Sequence, residues 1–388
     1  MINRLKKHYF FSQPHQAFFM LAFINALISM ILFTLTFEGT LSTNISAKVY
    51  HTYSLIFLLF TPAFLAFLFT TFPRFSATPP IEQEHYLKIF ALYLAASLFS
   101  YISLFSPYIL AISIFLSFLG HLGATGILLT IYKESTMEEK SDQFWILIAI
   151  GFGVLAQFIL LFSLIFPSLY QLSTQISLYL YLFLVFFTVA QRMVPFFSHS
   201  PIEKHVERFK VIVGLLALHI VLELFQEHSS FVVDLFIAYL IGRELYRWKL
   251  PFPNPNAMVW ILHIALFWIP VAFFLSSVSN LFALINQTSY LFIGVHALVL
   301  GFFLTMMIGF GTRVTIGHSG NKMQADSYTK LLFYGTQLVV VARVLTSVAT
   351  MGGLDILFFF HLSVTLWLVL FILWGFRFFP VLVLGKKL

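Results

Sequence analysis

The sequence contains no cysteine, few charged residues and no long polar segment. The lack of cysteine excludes disulfides, thiolate metal sites, iron–sulfur clusters and c-type haem attachment. Only 10% of the 388 residues are charged, whereas ordinary soluble domains contain about 25%. Because such a chain cannot cover a water-facing surface with polar groups, cytosolic enzymes, disordered proteins and ordinary nucleic-acid binders are excluded. We expect the lipid bilayer as its surroundings and no nucleic acid as a partner.

The residues that are present are mainly apolar, with 60% hydrophobic side chains and a mean hydropathy of +0.93. A membrane-spanning helix needs about 20 consecutive apolar residues. The pattern predicts an all-α polytopic membrane helix bundle, a single transmembrane domain over residues 1–388 with 12 transmembrane helices. The predicted spans lie near 17–37, 49–72, 86–105, 108–132, 143–166, 171–194, 210–226, 229–248, 257–279, 288–312, 328–350 and 354–379.

The positions of the basic residues predict the orientation of these spans. With twelve spans, all but two of the 22 Lys and Arg residues fall in the termini and the even-numbered loops; the exceptions are Lys48 and Arg343. Cytoplasmic loops carry an excess of Lys and Arg, so both termini are predicted to be cytoplasmic. The first apolar run is too long for a signal peptide, which predicts an uncleaved first span. No internal repeat is evident.

Histidine is unusually frequent relative to acidic residues, with 13 His against 15 Asp plus Glu. The predicted orientation places His51, His296 and Arg343 in the outer halves of their spans, and His121 near the middle of the fourth. A second group lies on the cytoplasmic side and contains His15, Arg192, His263, Arg313 and His318. Imidazole is therefore the main candidate ligand. The candidate metal ligands are His15, His51, His121, His263, His296 and His318.

Imidazoles within a bilayer need partners for their ring nitrogens, and a charged imidazole is costly there. Several intramembrane histidines with few carboxylates and no cysteine favour haem iron or copper over hydrolytic zinc or calcium. Haem also carries two propionates, for which Arg343 is a suitable partner. The alternative is that these histidines only hydrogen-bond neighbouring helices or line a pore. The predicted iron ligands are His51 and His296, and the predicted second site consists of His263, His318 and Arg313.

Five short motifs follow one another along most of the chain. Residues 49–54 read V-Y-H-T-Y-S, residues 190–197 read A-Q-R-M-V-P-F-F, and residues 262–268 read L-H-I-A-L-F-W. Residues 296–320 begin H-A-L and end T-R-V-T-I-G-H-S-G, and residues 342–345 read A-R-V-L. In the same order, these resemble W-H-x-H-E, G-R-I-I-P-x-F, L-H-x-G-Y-x-W, H-A-L followed by T-R-x-x-L-G-H-T-G, and L-R-V-L of the NnrS family.

The resemblance implies a multi-pass bacterial inner-membrane protein that binds haem and copper and accompanies denitrification or nitric-oxide stress. The residues on family motif positions are His51, His263, His296, His318, Arg192, Arg313 and Arg343. Tyr53 and Ser54 stand where the motif has His and Glu. A copper site that used those two positions is therefore lost or altered in this chain.

The sequence thus predicts a protein that contains one or more haem b groups, with copper as a second metal, and that binds or detoxifies nitric oxide. Reduction of nitric oxide would require an electron donor that the sequence does not identify. One alternative is a sensor of nitric oxide or redox state without turnover. A second is a 12-helix secondary transporter, which usually carries buried carboxylates. The residues that could supply them are Glu223, Asp234 and Glu244.

Overall fold

The computed structural model describes residues 8–200, 206–287, 290–352 and 354–388, and these ranges contain helices and no strand. A single 3₁₀ turn, Tyr9–Phe11, precedes the first long helix. The long helices, α1 to α12, are Pro14–Phe37, Ala47–Phe75, Gln83–Ile102, Pro107–Glu134, Ser141–Ser163, Leu169–Phe197, Val206–Phe225, Phe231–Arg247, Ala257–Asn286, Ile293–His318, Ser327–Gly352 and Ile356–Leu384.

Each predicted span corresponds to one of these helices, and ten helices of the described ranges are long and apolar enough to cross a membrane. The predicted all-α, multi-pass membrane class is therefore confirmed. The two helices outside this group are α7 and α8. Helix α8 has 17 residues, which is short for a bilayer of about 30 Å. The charged residues of α7 are Glu207, Arg208, Lys210 and Glu223.

Helices α2, α6 and α10, which are separated by three helices each in chain order, share two features. Each contains a π-helical segment, namely Ser54–Phe60, Ile176–Leu182 and Ala297–Leu304. Their most apolar windows are 89%, 83% and 83% buried within the protein, whereas the other candidate spans range from 33% to 56%. Because π-helical turns occur frequently at functional sites, these three helices are where a site is expected first.

Pro62, just after the π-helical segment of α2, changes the hydrogen bonding of that segment. Pro62 has no N–H, so the carbonyl of Leu58 loses its usual helical donor. Asn25 of α1 replaces that donor, because its Nδ2 lies 2.7 Å from the Leu58 oxygen. The Thr61 hydroxyl donates to the carbonyl of Ile56 at 2.8 Å. Since lipid offers no hydrogen bonds, every backbone polar group must find such a partner inside the protein.

Replacing Asn25 with leucine is expected to lower the stability of the protein. The substitution leaves the Leu58 carbonyl without its side-chain donor in an apolar environment, which costs about 1–3 kcal/mol. Thermal unfolding of the purified protein in detergent would measure the effect as a lower Tm. Asn44→Leu is the control, because the Asn44 amide bonds the Phe105 carbonyl at an exposed position where water can replace it. Equal Tm values for the two variants would contradict the assignment.

The chain packs into two compact units. The first unit comprises Met1–Val185, Gly311–Lys322 and Phe371–Leu388. Within it, the ring of Phe23 on α1 lies 4.0 Å from that of Trp374 on α12, and the Trp374 indole donates to the Thr312 hydroxyl of α10 at 3.0 Å. These contacts join the ends of α10 and α12 to α1.

The second unit comprises Phe186–Phe310 and Met323–Leu370. Within it, the Trp268 indole of α9 donates to the Gln337 amide oxygen of α11 at 2.8 Å. Gln337 in turn donates to the hydroxyl of Thr305 on α10 at 3.2 Å. These polar contacts bring α9, α10 and α11 together, and α10 and α11 carry two of the predicted site residues.

Candidate functional site

In the second unit, Arg343 of α11 directly contacts His296 of α10. One guanidinium nitrogen, Nη2, lies 3.1 Å from Nδ1 of His296 and donates to the Leu291 carbonyl at 2.8 Å. The other, Nη1, donates to the Ser347 hydroxyl at 2.8 Å. An arginine within a bilayer is costly unless its donors are bonded, and Leu291 and Ser347 each accept from one of them. The structure thus brings together the two residues that were predicted to lie in one layer.

The ring of His296 has two competing partners at the same nitrogen. Its Nδ1 lies 3.1 Å from the Phe292 carbonyl oxygen as well as 3.1 Å from Arg343. A carbonyl only accepts and a guanidinium only donates, so each partner requires a different tautomer. When Nδ1–H donates to Phe292, the lone pair lies on Nε2, as a metal ligand requires. In that tautomer the Arg343 guanidinium is available to an anionic group.

His51 lies in the first unit, near the N-terminal end of α2. Its ring is half-buried and packs on Phe33 of α1 with ring centroids 4.1 Å apart. His51 precedes the π-helical segment of α2 by three residues, and His296 directly precedes that of α10. Both predicted iron ligands therefore stand at the N-terminal start of a π-helical segment. His51 belongs to the first unit and His296 to the second, so the pairing of the two stays a sequence prediction.

A second pair of imidazoles lies in the first unit, where α1 begins and α10 ends. The ring centroids of His15 and His318 are 5.0 Å apart, with an interplanar angle of 51°. With metal–nitrogen distances of about 2.0 Å, two imidazoles on one tetrahedral ion have ring centroids about 5 Å apart, whereas in a linear arrangement the separation is about 6 Å. The observed separation therefore fits two neighbouring ligands of one ion.

The hydrogen bonds of this pair leave nitrogens available for such an ion. Nδ1 of His318 lies 2.8 Å from the side-chain oxygen of Gln13, which requires a proton on Nδ1 and leaves the lone pair on Nε2. His15 is 3% exposed, and its Nδ1 has no hydrogen-bond partner among the described residues. A buried nitrogen without a partner costs free energy, which a bound metal would offset.

The remaining predicted site residues have separate surroundings. His263 of α9 is fully buried, and its Nε2 lies 2.7 Å from the Ser198 hydroxyl. It belongs to the second unit, whereas His318 and Arg313 belong to the first, so their predicted grouping stays a prediction. Arg313 on α10 and Arg192 on α6 are both half-buried.

His121 of α4 is fully buried in the first unit and is held in one tautomer. Gln157 donates from its amide nitrogen to Ser117 at 2.6 Å, so its oxygen, 3.1 Å away, accepts from Nδ1–H of His121. Nε2 of His121 has no hydrogen-bond partner among the described residues. Tyr53, which replaces the motif histidine, bonds the same Ser117 hydroxyl at 3.0 Å. Tyr53 therefore belongs to a buried hydrogen-bond network that fixes His121.

The candidate metal ligands among the described residues are imidazoles that stand alone or in pairs. Among the described residues, no group of three or more His, Cys, Asp or Glu side chains could hold a metal ion. Haem iron takes one or two axial protein ligands because the macrocycle supplies the others. The donor set therefore fits a haem better than a closed three- or four-ligand protein site.

Sequence reasoning missed a buried ion-pairing group, His219 with Asp234. Nδ1 of His219 on α7 lies 2.6 Å from the carboxylate of Asp234 on α8. Asp234 was predicted only as a carboxylate for the transporter alternative, and His219 has no counterpart in the motifs. The available signal was an aspartate in the first turn of an apolar helix, where a carboxylate is stabilised by the helix N-terminus.

These features define the class: a multi-pass helical membrane protein with intramembrane histidines next to arginine or to one another. A family model described as NnrS protein matches residues 9–385. The chain therefore belongs to the NnrS family, and its membership is consistent with a role in the response to nitric oxide. No curated protein matches the chain.

Proposed function

We propose that this protein binds haem b in the bacterial cytoplasmic membrane and uses it to bind nitric oxide during nitrosative stress or denitrification. The observation that carries the proposal is the contact between His296 and Arg343. A haem needs an axial nitrogen and cationic partners for its propionates. Adjacent helices of one compact unit supply both, in a chain that belongs to the NnrS family.

Each residue of this pair has a defined task. Nε2 of His296 would hold the iron, and the Phe292 carbonyl would fix the ring by accepting from Nδ1–H. Arg343 would exchange its contact with His296 for a propionate oxygen, while its bonds to Leu291 and Ser347 keep it in place. The haem, when bound, would supply the iron to which nitric oxide binds. The sequence predicts His51 as the other histidine that would hold the iron, so nitric oxide would bind in place of His51.

The His15–His318 pair is our proposed copper site. Imidazole nitrogens suit copper, and the 5.0 Å separation of the rings matches two adjacent ligands of one ion. Gln13 would orient His318 through its hydrogen bond to Nδ1. The substitution of the motif His and Glu by Tyr53 and Ser54 moves the expected copper position away from α2.

We also propose that α7 and α8 cross the bilayer, which gives twelve spans and cytoplasmic termini. The alternation of Lys and Arg between loops supports this arrangement. Polar side chains of α7 and α8 hydrogen-bond one another, as the contact between His219 and Asp234 illustrates. Paired polar groups reduce the cost of placing these helices in lipid.

Optical spectroscopy of the purified protein tests the proposed function. After expression with sufficient haem, we expect a Soret band, a pyridine haemochrome of the b type and a shift of the Soret band when nitric oxide is added. A protein without a Soret band, or with one that nitric oxide does not shift, would contradict the proposal. Substrate flux in proteoliposomes without any chromophore would instead favour the transporter alternative.

A further inference from the structure

The second unit contains a buried polar centre that the proposed haem and copper sites do not use. At its middle, Nδ1 of His219 on α7 lies 2.6 Å from Oδ1 of Asp234 on α8, and their side chains are 2% and 0% exposed. A buried carboxylate is costly unless it is hydrogen-bonded. The contacts around this pair therefore decide what it can do.

The second oxygen of Asp234 is surrounded by donors. Its Oδ2 accepts from the hydroxyl of Ser230 at 2.9 Å, from that of Ser276 at 2.9 Å and from the Asn280 amide at 3.3 Å. Because Oδ2 only accepts, the proton of the 2.6 Å contact is shared between Oδ1 of Asp234 and Nδ1 of His219. Asp234 also lies in the first turn of α8, where the helix dipole favours negative charge.

The geometry defines two states of the pair that differ by one proton. In one, His219 is neutral and donates Nδ1–H to the Asp234 carboxylate, so its basic nitrogen is Nε2. In the other, a proton on Nε2 makes the ring an imidazolium while Asp234 stays ionised. The first state carries one negative charge and the second carries none. Neither state requires the hydrogen bonds at Oδ2 to change.

Two further ionisable groups bond residues that contact the pair. Glu223 on α7 accepts the backbone N–H of His228 at 3.1 Å and that of Ser230 at 3.2 Å. The ring of His228 bonds the Asn280 side chain at 3.0 Å, and α9 faces the pair with Ser276 and Asn280.

The charged cluster of α7 and α8 lies at the other ends of these helices, where Glu244 bonds Arg208 at 2.7 Å and also bonds Arg247. Glu223 and His228 are thus linked to the pair through Ser230 and Asn280.

The pair is also connected to the segment that carries His296. Ser276, which donates to Asp234, packs so closely on Gly294 that a Cβ at Gly294 would lie 2.5 Å from the Ser276 Cβ and 2.7 Å from its Cα. Gly294 precedes His296 by two residues in α10. Ser276 thus connects the Asp234 carboxylate to the backbone that positions His296.

We propose that the His219–Asp234 pair is a proton-exchanging site, which takes up one proton on Nε2 of His219 while Asp234 holds the imidazolium in place. Uptake changes the net charge of the pair by one unit, next to the segment that carries His296. Proton exchange by the pair does not depend on the proposed function.

Infrared difference spectroscopy of the purified full-length protein in lipid nanodiscs tests the exchange. Histidine ring labelling identifies imidazole bands that change between about pH 5 and pH 8, where histidine changes charge. We expect one band set to vanish in His219→Gln and to move to another pH midpoint in Asp234→Asn. A purely structural pair would give no such pH-dependent bands. His361→Gln, at an exposed position on α12, is the control and should retain them.

Identical pH difference spectra for the wild type and His219→Gln would overturn the proposal. If Asp234→Asn does not fold, Ser276→Ala removes one donor to Oδ2 and should also move the midpoint. An unmoved midpoint in Ser276→Ala would count equally against it.

A second measurement separates this proposal from the proposed function. In haem-loaded Asp234→Asn, we expect the Soret band and its shift by nitric oxide to be retained, because the pair does not hold the haem. A wild type without a Soret band would defeat the proposed function and leave the infrared titration standing.

Discussion

Replacing His296 with alanine is expected to remove most of the bound haem, seen as loss of the Soret band in the purified protein. The substitution deletes the proposed axial nitrogen and one partner of the Arg343 guanidinium. Arg343→Gln removes the proposed partner of a propionate, and a hydrogen bond between charged groups contributes about 1.5–3 kcal/mol. It should therefore weaken haem binding by about 10- to 100-fold, less than His296→Ala does.

The matched control for this series is His361→Ala, which removes a histidine from an exposed position on α12. It should keep the full Soret band. His51→Ala tests the second ligand that the sequence predicts, and the expected change is from a six-coordinate to a five-coordinate haem spectrum. An unchanged haem content in His296→Ala would show that this histidine does not hold the iron.

Replacing either His15 or His318 with alanine is expected to remove copper while the haem stays bound. The two rings, 5.0 Å apart, are the only protein ligands that we propose for that ion, so one imidazole alone cannot retain it. Elemental analysis of the purified variants measures copper per protein, and the Soret band reports haem in the same samples. Gln13→Leu should weaken copper binding by about 10- to 100-fold, because it removes the partner that orients His318.

His8→Ala is the control for the copper series, since His8 is an exposed histidine close to the same end of α1. It should retain copper at the wild-type level. Copper that persists in both His15→Ala and His318→Ala would place the metal elsewhere. Loss of haem together with copper in these variants would mean that the pair supports the fold rather than an ion.

The number and order of the helices follow from hydropathy, because an apolar stretch of about 20 residues has no stable alternative to a helix in lipid. In the sequence, α7 and α8 resemble membrane spans less than the other ten helices do, because α7 contains charged residues and α8 is short. The same two helices fall outside the ten candidate spans. The π-helical segments could not be foreseen in general. Pro62 follows the one in α2 by two residues, but no proline lies within Ile176–Leu182 or Ala297–Leu304 or in the two residues after them.

The sequence predicts the depth of the site residues in the bilayer, but not which of them are neighbours. Orientation of the spans placed Arg343 and His296 in one layer, and the structure shows them in contact. The same reasoning placed His15 and His318 on the cytoplasmic side without indicating that they are neighbours, since about three hundred residues separate them in sequence. The His219–Asp234 contact could not be predicted, because the depth of a residue in the bilayer does not show which faces of α7 and α8 pack together.

The most direct test is an experimental map of the haem-loaded protein that locates the iron by anomalous scattering or by cryo-electron microscopy. We predict iron at about 2.0 Å from Nε2 of His296. We also predict that Nδ1–H of the same ring donates to the Phe292 carbonyl and that Arg343 donates to a propionate oxygen. Iron located away from α10, with the guanidinium still on Nδ1 of His296, would contradict it.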